Sequence, residues 1–236
     1  MDTDTTAKKE KKNLIVVENL TRVFPVPDGE FTALKNINLE IEKGAFVILK
    51  GRSGSGKTTL MNLIGTLDDP TEGKVFLDGK EIGRMNERER ENLRRKELGF
   101  VFQSVSLLPS LSVIQNVEFS LRLAGEKNQK ELRRRAEECL RQVGLGNRME
   151  HMPSELSGGE QQRVAIAKAM AHRPKLILAD EPTAELDSAM AAAVTQLFKK
   201  MSEEEGITVL MTTHDAGLMG AARMLIELEN GEQKNG

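Results

Sequence analysis

Gly51-Arg52-Ser53-Gly54-Ser55-Gly56-Lys57-Thr58 is a glycine, four residues, then Gly-Lys-Thr, the spacing of a phosphate-binding loop. Its flanks have the texture such a loop needs. Phe46, Val47, Ile48 and Leu49 form a short apolar run before it, and residues 59–67 read as a helix after it. Glycines let the backbone curl so that several N–H groups point inward, and the free N–H groups of the following helix add to them. Lys57 supplies a mobile positive charge, so the concavity suits a polyphosphate. The Thr58 hydroxyl is a hard oxygen able to ligate Mg2+ bridging terminal phosphates.

The 236 residues suffice for one sizeable core with modest insertions. A formal charge of −2 provides no global basic field, so no nucleic-acid partner is expected. Residues 1–13 carry Lys8, Lys9, Lys11 and Lys12 around Glu10 with almost nothing apolar and read as a disordered tail; Asp2, Asp4 and Glu10 dilute any attraction to a lipid surface. Residues 231–236 read as a flexible C-terminus. No apolar run reaches the roughly 20 residues of a membrane-spanning helix, and the polar N-terminus lacks a signal-peptide core, so a cytosolic location is expected. The one cysteine, Cys139, falls in the amphipathic series Leu132, Ala136, Cys139, Leu140 and Val143, the pattern of a packed thiol.

Two textures alternate along residues 14–230. Residues 14–20 look like a strand broken at Pro25, Pro27, Asp28 and Gly29; residues 34–41 alternate as an amphipathic antiparallel strand, and residues 73–78 give another before the Asp78-Gly79 turn. These predict a small antiparallel layer. The short continuous apolar runs at 46–50, 98–102, 176–180, 207–212 and 223–227 predict a mostly parallel central sheet buried on both faces. Between them, about residues 104–163, lies a helical insertion: Ser112 and Gln115 can close a capping box for a helix toward Ala124, and a second helix spans 128–143. Ser157-Gly158-Gly159-Glu160 opens a further helix with the spacing of a capping box, and its two glycines permit close approach of an anionic ligand. A second phosphate-seeking element in a chain that already has one implies that another chain completes the site.

Leu176-Ile177-Leu178-Ala179 ends in Asp180 and Glu181. Beside a phosphate loop, Asp180 is placed to hold Mg2+ directly or through water, and Glu181 to orient or deprotonate an attacking water. His214, beyond the 207–212 strand, can touch a terminal phosphate and that water; Gln103, beyond the 98–102 strand, can reach the metal and link it to the helical insertion. His151 and His172 have no metal-ligand spacing to Cys139, and no zinc site is expected.

In order, these motifs strongly resemble the ATP-binding subunits of ATP-binding-cassette transporters. The resemblance implies an α/β P-loop NTPase (RecA-like) core with an antiparallel β subdomain and an inserted α-helical subdomain. It implies that Gly51, Ser53, Gly54, Ser55, Gly56, Lys57, Thr58 and Thr59 bind ATP, that Thr58, Gln103 and Asp180 serve Mg2+, and that Glu181 is the catalytic glutamate, acting with Lys57, Gln103 and His214. Ser157, Gly158, Gly159 and Glu160 correspond to the signature, and Asp187 to the loop at the dimer seam. The adenine-stacking aromatic maps to Phe24, with Phe31 as fallback. Partners implied are a second copy, head to tail, and integral-membrane permease subunits, with the chain at the cytoplasmic face of the membrane. Residues 100–103, 107–109 and 178–183 look like the lipoprotein-releasing, macrolide-exporter and FtsE-like group; a regulator of cell-wall remodelling acting through a membrane partner is the alternative. This chain departs from the group in having Glu185 where asparagine is usual, and Glu160 where glutamine is common.

Overall fold

Residues 12–234 are described by a computed structural model. Strands β1 (Asn13–Val26) and β2 (Gly29–Glu42) form a long hairpin, joined by β4 (Glu72–Leu77) and the short β5 (Lys80–Glu81) into an antiparallel sheet of order β2-β1-β4-β5. Strand β1 passes through Pro25, where a break was expected. Its pairing with β4 ends at Thr21, so at Pro25 it has only β2 as neighbour, and an edge tolerates the missing N–H. The second sheet has the order β10-β9-β3-β8-β7-β6. It comprises β3 (Phe46–Lys50), β6 (Leu98–Val101), β7 (Leu176–Ala179), β8 (Thr208–Thr212), β9 (Met224–Glu229) and β10 (Glu232–Gln233), parallel except for β10 against β9.

The continuous apolar runs are explained by where alternate side chains go. Phe46, Ile48, Ile177, Ala179, Val209 and Met211 face a core shared with the helices; Val47, Leu49, Leu176, Leu178 and Leu210 face a second core under the antiparallel sheet. With both faces covered, the middles of these strands are apolar on either side, and polar side chains come at the ends, as Thr208 and Thr212 do in β8.

The helices are α1 (Lys57–Ile64), α2 (Glu87–Glu97), α3 (Val113–Ala124), α4 (Gln129–Gln142), α5 (Gly158–Met170) and α6 (Ser188–Glu205). The expected boxes at Ser112/Gln115 and Ser157/Glu160 both form, and Gly125 ends α3 in the left-handed region at φ 110°. Helix α5 continues past the expected limit of the insertion at residue 163, because Val164, Ile166, Ala167 and Met170 enter the helix-side core. Cys139 is buried in that core, which pushes its thiol up to about 11.

Both termini correct the sequence reading where they are described. Asn13, assigned to the tail, is buried in β1 and donates to Glu40 at 2.7 Å; residues 1–11 lie outside the described residues. Residues 231–236 were expected to be flexible, yet Glu232 and Gln233 pair with Glu229 and Leu228. Gly231 also donates to the Ser55 carbonyl at 3.2 Å and accepts from the Lys35 amide at 2.8 Å, so the hairpin leans on the phosphate loop. Residues 235–236 lie outside the described residues.

Candidate nucleotide site

Four strands of the parallel sheet deliver the site at their carboxyl ends, the place where open α/β sheets bind ligands. The chain leaves β3 into Gly51, β6 toward Gln103, β7 into Asp180 and β8 toward His214. A cavity of about 380 Å³ there is lined by Ser53, Gly54, Gly56, Lys57, Thr58, Thr59, Gln103, Asp180, Glu181 and His214, with Phe31 and Ala33 from β2.

The loop's curl needs its glycines at two places. A Cβ on Gly51 would lie 2.3 Å from the Leu228 carbonyl oxygen, and one on Gly56, at φ 99°, 2.6 Å from that of Ala33. Lys57 is buried at the start of α1, and its ammonium donates to the Gly51 and Arg52 carbonyls at 2.8 and 2.9 Å. Burial lowers its affinity for a proton, opposed by the charges of Glu181 and Asp180; an anionic ligand would add to that opposition.

Hydrogen bonds tie α1 to the acidic strand end. The Thr58 hydroxyl donates to Asp180 Oδ2 at 2.8 Å, and the Thr212 hydroxyl donates to Asp180 Oδ1 at 2.7 Å while accepting the Glu181 amide at 2.8 Å. Glu181 sits in the left-handed region at φ 47°, a strained conformation for a residue with a side chain. Its Oε1 lies 2.6 Å from His214 Nε2. Thr212, wholly buried, was not singled out from the sequence; a polar residue closing the apolar β8 run beside an acidic strand end was the available signal.

Two groups of expected site residues stand elsewhere. Phe24 does not line the cavity: the Arg22 guanidinium covers its ring at 4.4 Å, held there by a bidentate pair with Asp68, and Phe31 takes the wall instead. Ser157, Gly158, Gly159, Glu160 and Asp187 are also absent from the cavity wall. Ser157 caps α5 and is exposed, its hydroxyl 3.0 Å from Glu160 Oε2; the same carboxylate oxygen accepts the Ser157 amide at 2.9 Å, and these bonds hold the Glu160 carboxyl below its usual range. Asp187 caps α6 by accepting from the Met190 amide at 2.9 Å. A larger cavity, about 880 Å³ between α3 and α4, is lined by Arg122, Arg133 and Glu118 and shares no residue with the loop site.

The fold and this site define a phosphate-loop α/β protein with two adjacent acids, Asp180 and Glu181, at one strand end. Comparison with known proteins gives the family. The sequence profile described as ABC transporter matches residues 34–184, and the chain belongs to that family. It is 46% identical over 219 residues to the lipoprotein-releasing system ATP-binding protein LolD of Aquifex aeolicus, covering 93% of this chain and 95% of that one. It is 45% identical to an uncharacterized ABC transporter ATP-binding protein, MJ1508 of Methanocaldococcus jannaschii, covering 93% and 97%. Against the macrolide export ATP-binding/permease protein MacB of Syntrophobacter fumaroxidans identity is 41%, over 93% of this chain and 31% of that protein. A solved dimeric structure of the ATP-binding cassette MJ0796, in a post-hydrolysis state bound to ADP and Pi, superposes with TM-score 0.89 at 42% identity, covering 94% of this chain and 97% of that one. The expected fold class and family are borne out, and the chain is an ABC-type ATP-binding ATPase.

Proposed function

We propose that two copies of this chain close head to tail around two ATP molecules, hydrolyse them with Mg2+, and so drive a membrane permease of the lipoprotein-release or macrolide-export type from the cytoplasmic face. One observation carries the dimer: the chain has two phosphate-seeking elements, the loop at residues 51–58 and the capped start of α5 at Ser157, and only the first lines the cavity. A head-to-tail partner brings its own Ser157 region to the open side of the loop. The solved MJ0796 cassette, dimeric and bound to ADP and Pi, supports this reading.

The residues divide the work as follows. Loop amides and the N-terminus of α1 hold the phosphates, and Lys57 exchanges its two carbonyl partners for phosphate oxygens. Glu181, restrained by His214, accepts a proton from the attacking water, while Lys57 and the edge of the His214 ring face charge gathering on the transferring phosphoryl group. Phe31 offers its half-exposed ring to the adenine.

The metal fits the donors. Thr58 and Asp180 present hard oxygens 2.8 Å apart, with Gln103 on the same wall, too few for an all-protein cage and suited to an ion that keeps water and phosphate oxygens. Bound there, Mg2+ would supply charge neutralisation between the phosphates.

For the permease, the surface beside Gln103 is assigned. A groove of about 470 Å³ exposes Leu67, Phe102 and Leu123, with Phe100 and Phe102 stacked at 5.6 Å between ring centroids. Phe102 adjoins Gln103, so a partner pressed into the groove shares a short backbone segment with the metal side of the site.

Light scattering tests the dimer. Glu181→Gln should become dimeric with ATP, and adding Ser157→Arg should return it to monomer while leaving ATP bound. A Ser157→Arg chain that dimerises as well as its parent overturns the head-to-tail arrangement. Affinity capture from solubilised membranes should recover a permease of the named type; recovery of a partner that signals to cell-wall enzymes would favour the regulatory alternative instead.

A further inference from the structure

Glu185 is exposed and makes no hydrogen bond or ion pair among the described residues. Its backbone is nevertheless held: Ala184 donates to the Glu181 carbonyl at 3.2 Å and Leu186 to that of Thr183 at 3.1 Å. The Glu185 carbonyl oxygen lies 3.2 Å from where a Cβ on Gly159 would sit, and Leu186 Cδ2 3.1 Å from the same point. Glu185 therefore travels with the start of α5, and closure carries it to the phosphate loop of the other copy. The other carboxylates at this end are engaged, Asp187 on the Met190 amide and Glu160 on Ser157.

An unpaired carboxylate pressed toward a polyphosphate opposes closure. The receiving loop has a remedy. Lys57 is buried and turned to its own loop, whereas Arg52 is exposed and makes no ion pair among the described residues. Near it in its own chain is another cation, Lys234, which is tied to Glu229 at 2.6 Å. Resting on the head-to-tail reading, we propose that Glu185 of each copy pairs with Arg52 of the other, forming two reciprocal ion pairs that fasten the closed dimer beside the two nucleotides.

The test is a charge swap in the Glu181→Gln background, with the monomer–dimer constant measured by sedimentation at saturating ATP and nucleotide affinity measured separately on each monomer. Arg52→Glu and Glu185→Arg should each weaken dimerisation by about tenfold, and the double variant should recover to within about threefold of the parent, as coupled interfacial charges do. Added salt should weaken the parent more than Arg52→Gln/Glu185→Gln. If the swapped double variant is as weak as the two single effects combined, or the single variants dimerise as the parent does, the pair is overturned. If the Glu181→Gln parent fails to dimerise with ATP, the head-to-tail reading itself fails, which separates the two failures.

Discussion

Thr212 fixes Asp180: across the seam between β7 and β8 its hydroxyl donates to Asp180 Oδ1 at 2.7 Å. The Thr212 hydroxyl oxygen also accepts the amide of Glu181, whose φ of 47° needs an outside restraint. One buried hydroxyl thus ties down both the Asp180 carboxylate and the backbone of Glu181.

Removing that hydroxyl should separate positioning from binding. Thr212→Val leaves a carboxylate oxygen and an amide without this partner at a wholly buried position, a loss of about 1–3 kcal/mol in unfolding stability. ATP turnover should fall by about tenfold or more while ATP affinity stays within about threefold, because the loop that grips the phosphates is untouched. Thr212→Ser should retain most turnover. Steady-state kinetics and urea titration of the two variants check this; equal loss in Ser and Val would assign the effect to packing.

Glu181→Gln keeps the shape of the side chain and removes its basicity. Turnover should drop by about 10² or more, the range expected on losing a general base, with ATP still bound. Phosphate release and equilibrium nucleotide binding measure the two quantities. Retained wild-type turnover would remove Glu181 from the catalytic role.

Thr58→Ala withdraws the hydroxyl that faces Asp180 at 2.8 Å. Dependence of turnover on Mg2+ should shift to higher concentration by about tenfold, since one hard oxygen is lost from a small donor set, and Thr58→Ser should restore it. A metal titration at fixed ATP distinguishes this from a loss of nucleotide affinity, which should change little in metal-free binding.

The parts of this molecule legible in the sequence are those where local chemistry and fold agree. The loop, the five parallel strands and the boxes at Ser112 and Ser157 each carry their own signal within a few residues, and each appears where expected. Helix α2 carries only end signals: Asn86 and Glu89 close a capping box, with acids in the first turn and Arg94, Arg95 and Lys96 in the last, but only Leu93 is buried and no apolar stripe marks its body. The rest depended on register. Phe24 and Phe31 face each other across the β1/β2 hairpin; Arg22 lies two residues before Phe24 on the same strand, but its hold over that ring depends on the distant Asp68. The C-terminal hairpin was misread because its turn, Asn230 and Gly231 at φ 51° and 79°, pairs two residues that look polar and unstructured until β9 is beside them.

Asp78 supplies a pH-dependent test of how the two sheets are joined. It leads out of β4 in the antiparallel layer, accepts from Lys175 at 2.7 Å just before β7, and pairs with Lys43 at 2.6 Å just before β3. Hydrogen bonds from Lys175 and then Lys43 hold its carboxyl down to about 2, with burial opposing them. The folded value is below the ordinary one, so the stabilisation is fully present above the unfolded pKa near 4 and is lost as pH falls through about 2. Because the lysines are about half exposed, solvent screening reduces the full shift to about 1–2 kcal/mol. Asp78→Asn should therefore be less stable than the parent by about that amount at pH 7, and the two denaturation curves should converge as pH is lowered from 4 toward 2. A difference that persists unchanged at low pH would mean that the carboxylate's charge is not what joins β4 to the ends of the parallel strands.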